Sequence, residues 1–90
     1  MEKDTFKLTP QSLKDIALLK KESSKLVGKV LLLIGDIMVH PFEGIGRPEA
    51  LKGDLAGYWS RRIDQKHRLI YKVEEEFVII ISCYGHYEDK

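Results

Sequence analysis

The hydrophobic period of this chain changes once, and the change falls on a segment suited to breaking secondary structure. Up to Pro41 apolar residues recur every three or four positions, and after Pro48 they recur at every second one. Between them runs Pro41-Phe42-Glu43-Gly44-Ile45-Gly46-Arg47-Pro48, a loop sequence with two glycines able to adopt positive φ. Helices followed by a meander of strands predict an α+β domain in which two N-terminal helices pack on a small antiparallel β-sheet. A chain of 90 residues has apolar surface for one modest core, so residues 1–90 are read as a single domain without a linker.

Local signals place the elements. Phe6 to Leu8 reads as a short strand, and Thr9-Pro10 as a helix cap followed by proline at the first helical position, where its missing N–H costs nothing. Leu13, Ile16, Ala17 and Leu19 give the first helix an apolar stripe. The polar stretch Lys20 to Ser24 interrupts it, and Ser23 or Ser24 caps a second helix with Leu26, Val30, Leu33, Ile34 and Ile37 on one face. That helix is expected to stop at His40, because Pro41 disfavours helical geometry in the residue before it. Leu31, Leu32 and Met38 widen the stripe, which predicts cover on two sides, by the sheet and by the partner helix or another chain. Tyr58 to Ile63, His67 to Val73 and Phe77 to Tyr84 are the predicted strands, the last two joined around Glu74-Glu75-Glu76.

Charge is distributed unevenly although the net value is only +1. Residues 41–72 carry seven Lys/Arg against four Asp/Glu and hold all four arginines, whereas residues 73–90 carry one against five. A basic middle segment rich in guanidinium groups suits a phosphate-bearing partner. The lone Cys83 has no internal disulfide partner, and no Cys/His cluster has metal-ligand spacing, so neither zinc nor another cofactor is expected. The start of the chain, with Glu2 and Asp4, lacks the basic-then-apolar pattern of a secretory signal. No apolar run is longer than the five residues of Val30 to Ile34, far short of the roughly 20 that span a bilayer. A soluble cytoplasmic protein without a membrane partner is the expectation.

Alternation along the strands then predicts two faces. With odd-membered turns, Tyr58, Ser60 and Arg62 share a face with Arg68, Ile70 and Lys72, and with Ser82, Tyr84 and His86. Trp59, Ile63, Leu69, Tyr71, Val73, Phe77, Ile79 and Ile81 form the opposite, core-facing set, with Arg61 and His67 as exceptions near strand ends. An even-membered turn would exchange the assignment. Cations interleaved with aromatic rings are what an RNA-binding surface uses, for phosphates and for stacked bases.

Five short blocks carry a resemblance: Pro41-Phe42-Glu43-Gly44, Pro48-Glu49-Ala50-Leu51-Lys52, Trp59-Ser60-Arg61-Arg62-Ile63, His67-Arg68-Leu69-Ile70-Tyr71 and His86-Tyr87. In this order and spacing the chain resembles the YoeB branch of the RelE-like toxins, closely over residues 41–87 and in layout over the helices. The resemblance implies a RelE-like, microbial-RNase-like fold and a toxin that enters the ribosomal A site and cuts the messenger there. It also implies the partners: the ribosome with its mRNA, a cognate YefM/Axe-like antitoxin, operator DNA only as part of the antitoxin complex, and a second copy of the chain as a further candidate. Carried over by position, it marks Glu49 as general base, Lys52 as a nearby cation, Arg62 and Arg68 as the strand arginines and His86-Tyr87 as the C-terminal pair. Two departures stand out. Lys66 occupies a position that is often Glu in the family, and Glu88-Asp89-Lys90 come after His86-Tyr87, where the family often ends.

These residue types fit RNA cleavage by the substrate's own 2′-OH. That reaction needs a base for the hydroxyl proton, an acid for the departing 5′ oxygen and cations for charge developing on phosphorus. Glu49, His86 and the pair Arg62/Arg68 could supply these in turn, with Lys52 on RNA and Tyr84 or Tyr87 stacked on a base. His67, His40, Cys83 and Trp59 read as structural residues. A competing reading is a catalytically weak RelE-like module that works by binding an antitoxin in operon repression, and the near-neutral net charge and Lys66 are its support.

Overall fold

A computed structural model describes residues 3–85 of the chain. Strand β1 (Thr5–Leu8) leads into helices α1 (Pro10–Glu22) and α2 (Ser24–Val39). After the loop come β2 (Glu49–Ala50), one 3-10 turn (Gly53–Leu55), β3 (Trp59–Arg62), β4 (Arg68–Val73) and β5 (Phe77–Ser82). The helix boundaries have the anticipated chemistry. Thr9 caps α1 by accepting the Ser12 N–H at 3.0 Å, with Pro10 at the first helical position. Ser23 both ends α1 and caps α2: its backbone is extended, its N–H donates to the Leu19 carbonyl and its hydroxyl accepts the Lys25 N–H. His40 closes α2 immediately before Pro41.

The five strands lie in the order β1-β5-β4-β3-β2. Strands β2 to β5 are antiparallel, as expected of the meander, but β1 joins β5 in parallel, with Thr5 opposite Phe77 and Leu8 opposite Ile80. A parallel pair needs a long crossover connection, and the two helices provide it. Strand β2, read from sequence as loop, pairs Glu49 with Ser60 and Ala50 with Trp59 at the opposite edge. Among the described residues no helix is long and apolar enough to cross a membrane.

The helices cover one face of the sheet. Leu19, Val30, Leu33 and Ile37 meet Leu69, Tyr71, Val78 and Ile80 in a core whose members are fully buried. Each such aliphatic side chain contributes about 1.5–3 kcal/mol relative to its exposed state. The predicted face of α2 is the buried one, whereas that of α1 is displaced: Leu13 and Ala17 are exposed, and Ser12 and Asp15 are buried with Leu19. The two polar groups are tolerated because both are bonded. Ser12 Oγ donates to the Thr9 carbonyl, and the Asp15 carboxylate accepts from Gln11 and from the Cys83 N–H. On the outer side of α2, Leu31 and Leu32 are about 60% exposed, so among the described residues only one side of the wide apolar surface is covered.

Alternation holds between β3 and β4 and fails between β4 and β5. Val73 pairs with Val78, Glu74 N–H bonds to the Phe77 carbonyl, and the tight turn is therefore Glu75-Glu76, an even number. Val78 and Ile80 consequently replace Phe77, Ile79 and Ile81 in the core. A bulge then intervenes: Tyr71 pairs with Ile80 but Ile70 pairs with Ser82, which returns Ser82 to the face on which alternation placed it.

Candidate active site

The face of the sheet turned away from the helices carries the residues with chemistry. Register places Glu49, Ser60, Ile70 and Ser82 in one row across β2, β3, β4 and β5, and Arg62 opposite Arg68 in the next row. Glu49 is thus diagonal to Arg62, a separation of about 7–8 Å between backbone positions that long side chains span readily. Glu49, Lys52 and Arg62 are exposed and Arg68 is half-buried. Among the described residues no side chain pairs with Glu49, Lys52 or Arg62, while the Arg68 guanidinium donates to the Asp64 carbonyl at 3.1 Å. One carboxylate beside two guanidinium groups on an open surface can accept a proton and bind a phosphate. Lys72 belongs to the same face, 5.7 Å from the Tyr58 ring centroid.

Two polar clusters, each built on one fully buried side chain, fix the ends of this surface, and sequence reading did not connect the members of either. The first is Arg61. One residue from Arg62 and pointing the other way, it is fully buried, and all five of its N–H groups have acceptors. Nη1 donates to Asp36 Oδ2 at 2.5 Å and to the Ile45 carbonyl, Nη2 to the His40 and Glu43 carbonyls, and Nε to the Tyr71 hydroxyl. Tyr71 in turn donates to the Pro41 carbonyl. The guanidinium therefore holds the whole loop leading to Glu49, and its hydrogen bond is the main reason the Asp36 carboxyl lies below its usual range. Gly44 and Gly46 permit the close approach. Both have positive φ, and a Cβ on Gly44 would collide with Asp36 Oδ2.

The second cluster sits where β5 ends. His67, read as structural, is fully buried and uses both ring nitrogens: Nε2 lies 3.0 Å from Glu22 Oε1, and Nδ1 accepts the Gly85 N–H at 2.8 Å. Since Nδ1 must offer a lone pair, the proton belongs on Nε2, where it is donated to Glu22. Tyr84 donates its hydroxyl to Glu22 Oε2 at 2.6 Å, and its ring lies 4.5 Å from that of His67. Lys66, the unexpected cation, is 3.5 Å from the same carboxylate oxygen. The hydrogen bonds from Tyr84 and then His67 lower the Glu22 pKa from 4.5 to about 2, and the bond to Glu22 raises that of Tyr84.

Tyr84 accordingly departs from its expected place beside the arginines. The regular ladder stops at Ser82, the Cys83 N–H turns inward to Asp15, and alternation no longer governs the side chains beyond that point. His86 and Tyr87 lie outside the described residues.

Comparison with known proteins agrees with this architecture. Residues 8–87 match the family model for the YoeB-like toxin of bacterial type II toxin–antitoxin systems. The chain is 45% identical over 80 residues to Toxin YoeB of Synechocystis sp., covering 89% of this chain and 93% of that protein. The YoeB dimer from Staphylococcus aureus superposes with a TM-score of 0.84 at 39% identity, over 92% of this chain and 97% of that one. The toxin in the heterotetrameric YoeB–YefM complex of the same organism does so at 0.83 and 38%, over 97% and 100%. With about nine-tenths of its length and its fold accounted for in this way, the chain belongs to the YoeB family of toxins of bacterial type II toxin–antitoxin systems.

Proposed function

We propose that this toxin is a ribosome-dependent mRNA endoribonuclease, cutting the messenger in the ribosomal A site through attack by the substrate's own 2′-OH. The observation that carries the reading is the convergence of Glu49, Arg62 and Arg68, from three adjacent strands, on the open face of the sheet. Glu49 takes the 2′-OH proton as O2′ attacks the adjacent phosphorus. Arg62 and Arg68 stabilise the negative charge on the non-bridging oxygens, and His86 protonates the departing 5′ oxygen. The products are a 2′,3′-cyclic phosphate and a free 5′-OH. Lys52 contributes a further phosphate contact, and Tyr87 a ring for base stacking. Every role is filled by a side chain, so the reaction proceeds in the presence of a chelator.

Partners follow from the family. A YefM-like antitoxin inhibits by covering the basic face or by displacing the C-terminal segment, because an acidic partner gains most from Arg62, Arg68 and Lys52. The YoeB–YefM complex and the YoeB dimer from Staphylococcus aureus support an antitoxin and a second copy as partners. Operator DNA is bound only within the antitoxin complex, and the site of action is the cytoplasm, where ribosomes are. The test is a programmed ribosome carrying a 2′-deoxy nucleotide at the scissile position. Cutting is expected to stop there, and Glu49→Gln to slow cutting of the normal messenger about 10²–10⁴-fold. Cleavage of the 2′-deoxy messenger, or a product with a 5′-phosphate, would refute the mechanism.

A further inference from the structure

We propose that His67 and Glu22 form a clasp that fixes the end of β5 at Gly85, beside the start of β4, making His67 a positioning residue for cleavage although it touches no RNA. The inference rests on the endoribonuclease reading. Its structural basis is the way the end of β5 is held. Between Ile81 and Gly85 every residue except Ser82, which pairs with Ile70, is bound by groups on α1, on the residue before it, or around the start of β4: the Ile81 carbonyl by Thr9 Oγ1, the Cys83 N–H by Asp15, the Tyr84 hydroxyl by Glu22, the Gly85 N–H by His67 Nδ1 and the Gly85 carbonyl by the Arg68 N–H. Both backbone polar groups of Gly85 are thereby fixed, and one of its partners is the backbone of Arg68 itself. Gly85 directly precedes His86 in the sequence, so the clasp fixes the last described backbone group before the proposed acid and ties it to the backbone of Arg68.

A fully buried imidazole needs a partner for each nitrogen, and which partners it has decides what it holds in place. Here one nitrogen orients the ring against a carboxylate and the other offers a lone pair to the Gly85 amide, the arrangement that fixes a single tautomer. Lys66 finds its place in the same cluster: its ammonium lies beside the Glu22 carboxylate that the other members share. Misplacing a reacting group by about 1 Å can cost on the order of 10²-fold in rate, so loosening this anchor reaches the chemistry without altering the arginine face.

The experiment separates the two hydrogen bonds of the ring. His67→Gln keeps a donor for Glu22 but loses the acceptor for Gly85, whereas His67→Asn keeps the acceptor near the Nδ1 position. Amide exchange at Gly85, urea midpoints and the kinetics of messenger cleavage on programmed ribosomes are measured for parent, both variants and Glu22→Gln. The expected result for His67→Gln is faster exchange at Gly85 and a kcat reduced about 10–100-fold, with KM within about 2-fold of parent because Lys52, Arg62 and Arg68 are untouched. His67→Asn should restore most of the rate. Should His67→Gln fail to fold, Glu22→Gln, which removes a charge from a partly exposed group, is expected to give the same kcat-directed loss in milder form. Unchanged kcat in a folded His67→Gln, equal loss in both histidine variants, or a loss confined to KM would overturn the clasp. Failure of the parent itself to cut would instead overturn the endoribonuclease reading, and this role with it.

Discussion

Arg61 and Arg62 are chemically identical neighbours, and the fold assigns them opposite consequences. Replacing Arg61 by alanine removes a buried cation from Asp36 and strips hydrogen bonds from three loop carbonyls and the Tyr71 hydroxyl. Breaking a buried ion pair by deleting one partner costs about 3–5 kcal/mol. A domain of 90 residues has roughly 5–13 kcal/mol in all, at about 0.05–0.15 kcal/mol per residue. The loss is therefore a large fraction of total stability. With urea m-values of about 1–3 kcal/mol/M, the Arg61→Ala midpoint should fall by at least about 1 M. Arg62→Ala, on the open surface, should stay within about 0.5 kcal/mol of parent in the same melt while losing toxicity. Circular dichroism in urea on the two purified variants, alongside growth arrest on expression, reads both effects. An Arg61→Ala melt within about 1 kcal/mol of parent would refute the claim that this guanidinium organises the loop, and a strongly destabilised Arg62→Ala would refute the assignment of faces.

The Glu22 carboxyl is depressed in the folded state, so its contribution is complete above its unfolded value near 4.5 and is lost as pH falls toward about 2; Glu22→Gln should flatten the stability profile across that window and leave the slope above it unchanged. Cys83 is fully buried, and burial, with Asp15 beside it, pushes its thiol up to about 12; alkylation at neutral pH should proceed only as fast as the protein opens, and rapid labelling of native protein would contradict its placement. Gly44→Ala forces a Cβ onto the Asp36 carboxylate at positive φ, and should lower the urea midpoint by the equivalent of about 1–3 kcal/mol, whereas Gly28→Ala, with open space at that point of α2, should raise it slightly.

Elements with a strong period were legible because one rule governed them. The caps at Thr9 and Ser23, the stop before Pro41 and the buried face of α2 each followed from local chemistry. So did the shared face of Arg62 and Arg68, once the connection between β3 and β4 is odd-membered. The β5 assignment failed at the Glu75-Glu76 turn, where one residue more or less in the loop exchanges the faces, and no residue type in a glutamate run marks the difference. Strand β2 is two residues long and exists only because β3 lies beside it. Arg61 did leave a signal: alternation put a guanidinium on the core side, and Asp36 is the one acid in α2, but only the folded loop shows that three carbonyls complete the set. The Glu22–His67 contact joins residues 45 apart in sequence, and no spacing rule connects them.

The parallel pairing of β1 with β5 bears on the order of assembly. Thr5 meets Phe77, so the edge of the sheet closes only after every intervening element has been made. Closing so long a loop costs entropy before its contacts give any return, and such pairings form late. During synthesis the helical hairpin can collapse early on its local contacts, but β1 has no strand to pair with until β5 emerges. The bonds that end the sheet, from Thr9 to Ile81 and from Asp15 to Cys83, also wait for that moment. The assembled toxin surface therefore waits for β5, and a nascent chain still short of β5 carries the arginines without the frame that aligns them.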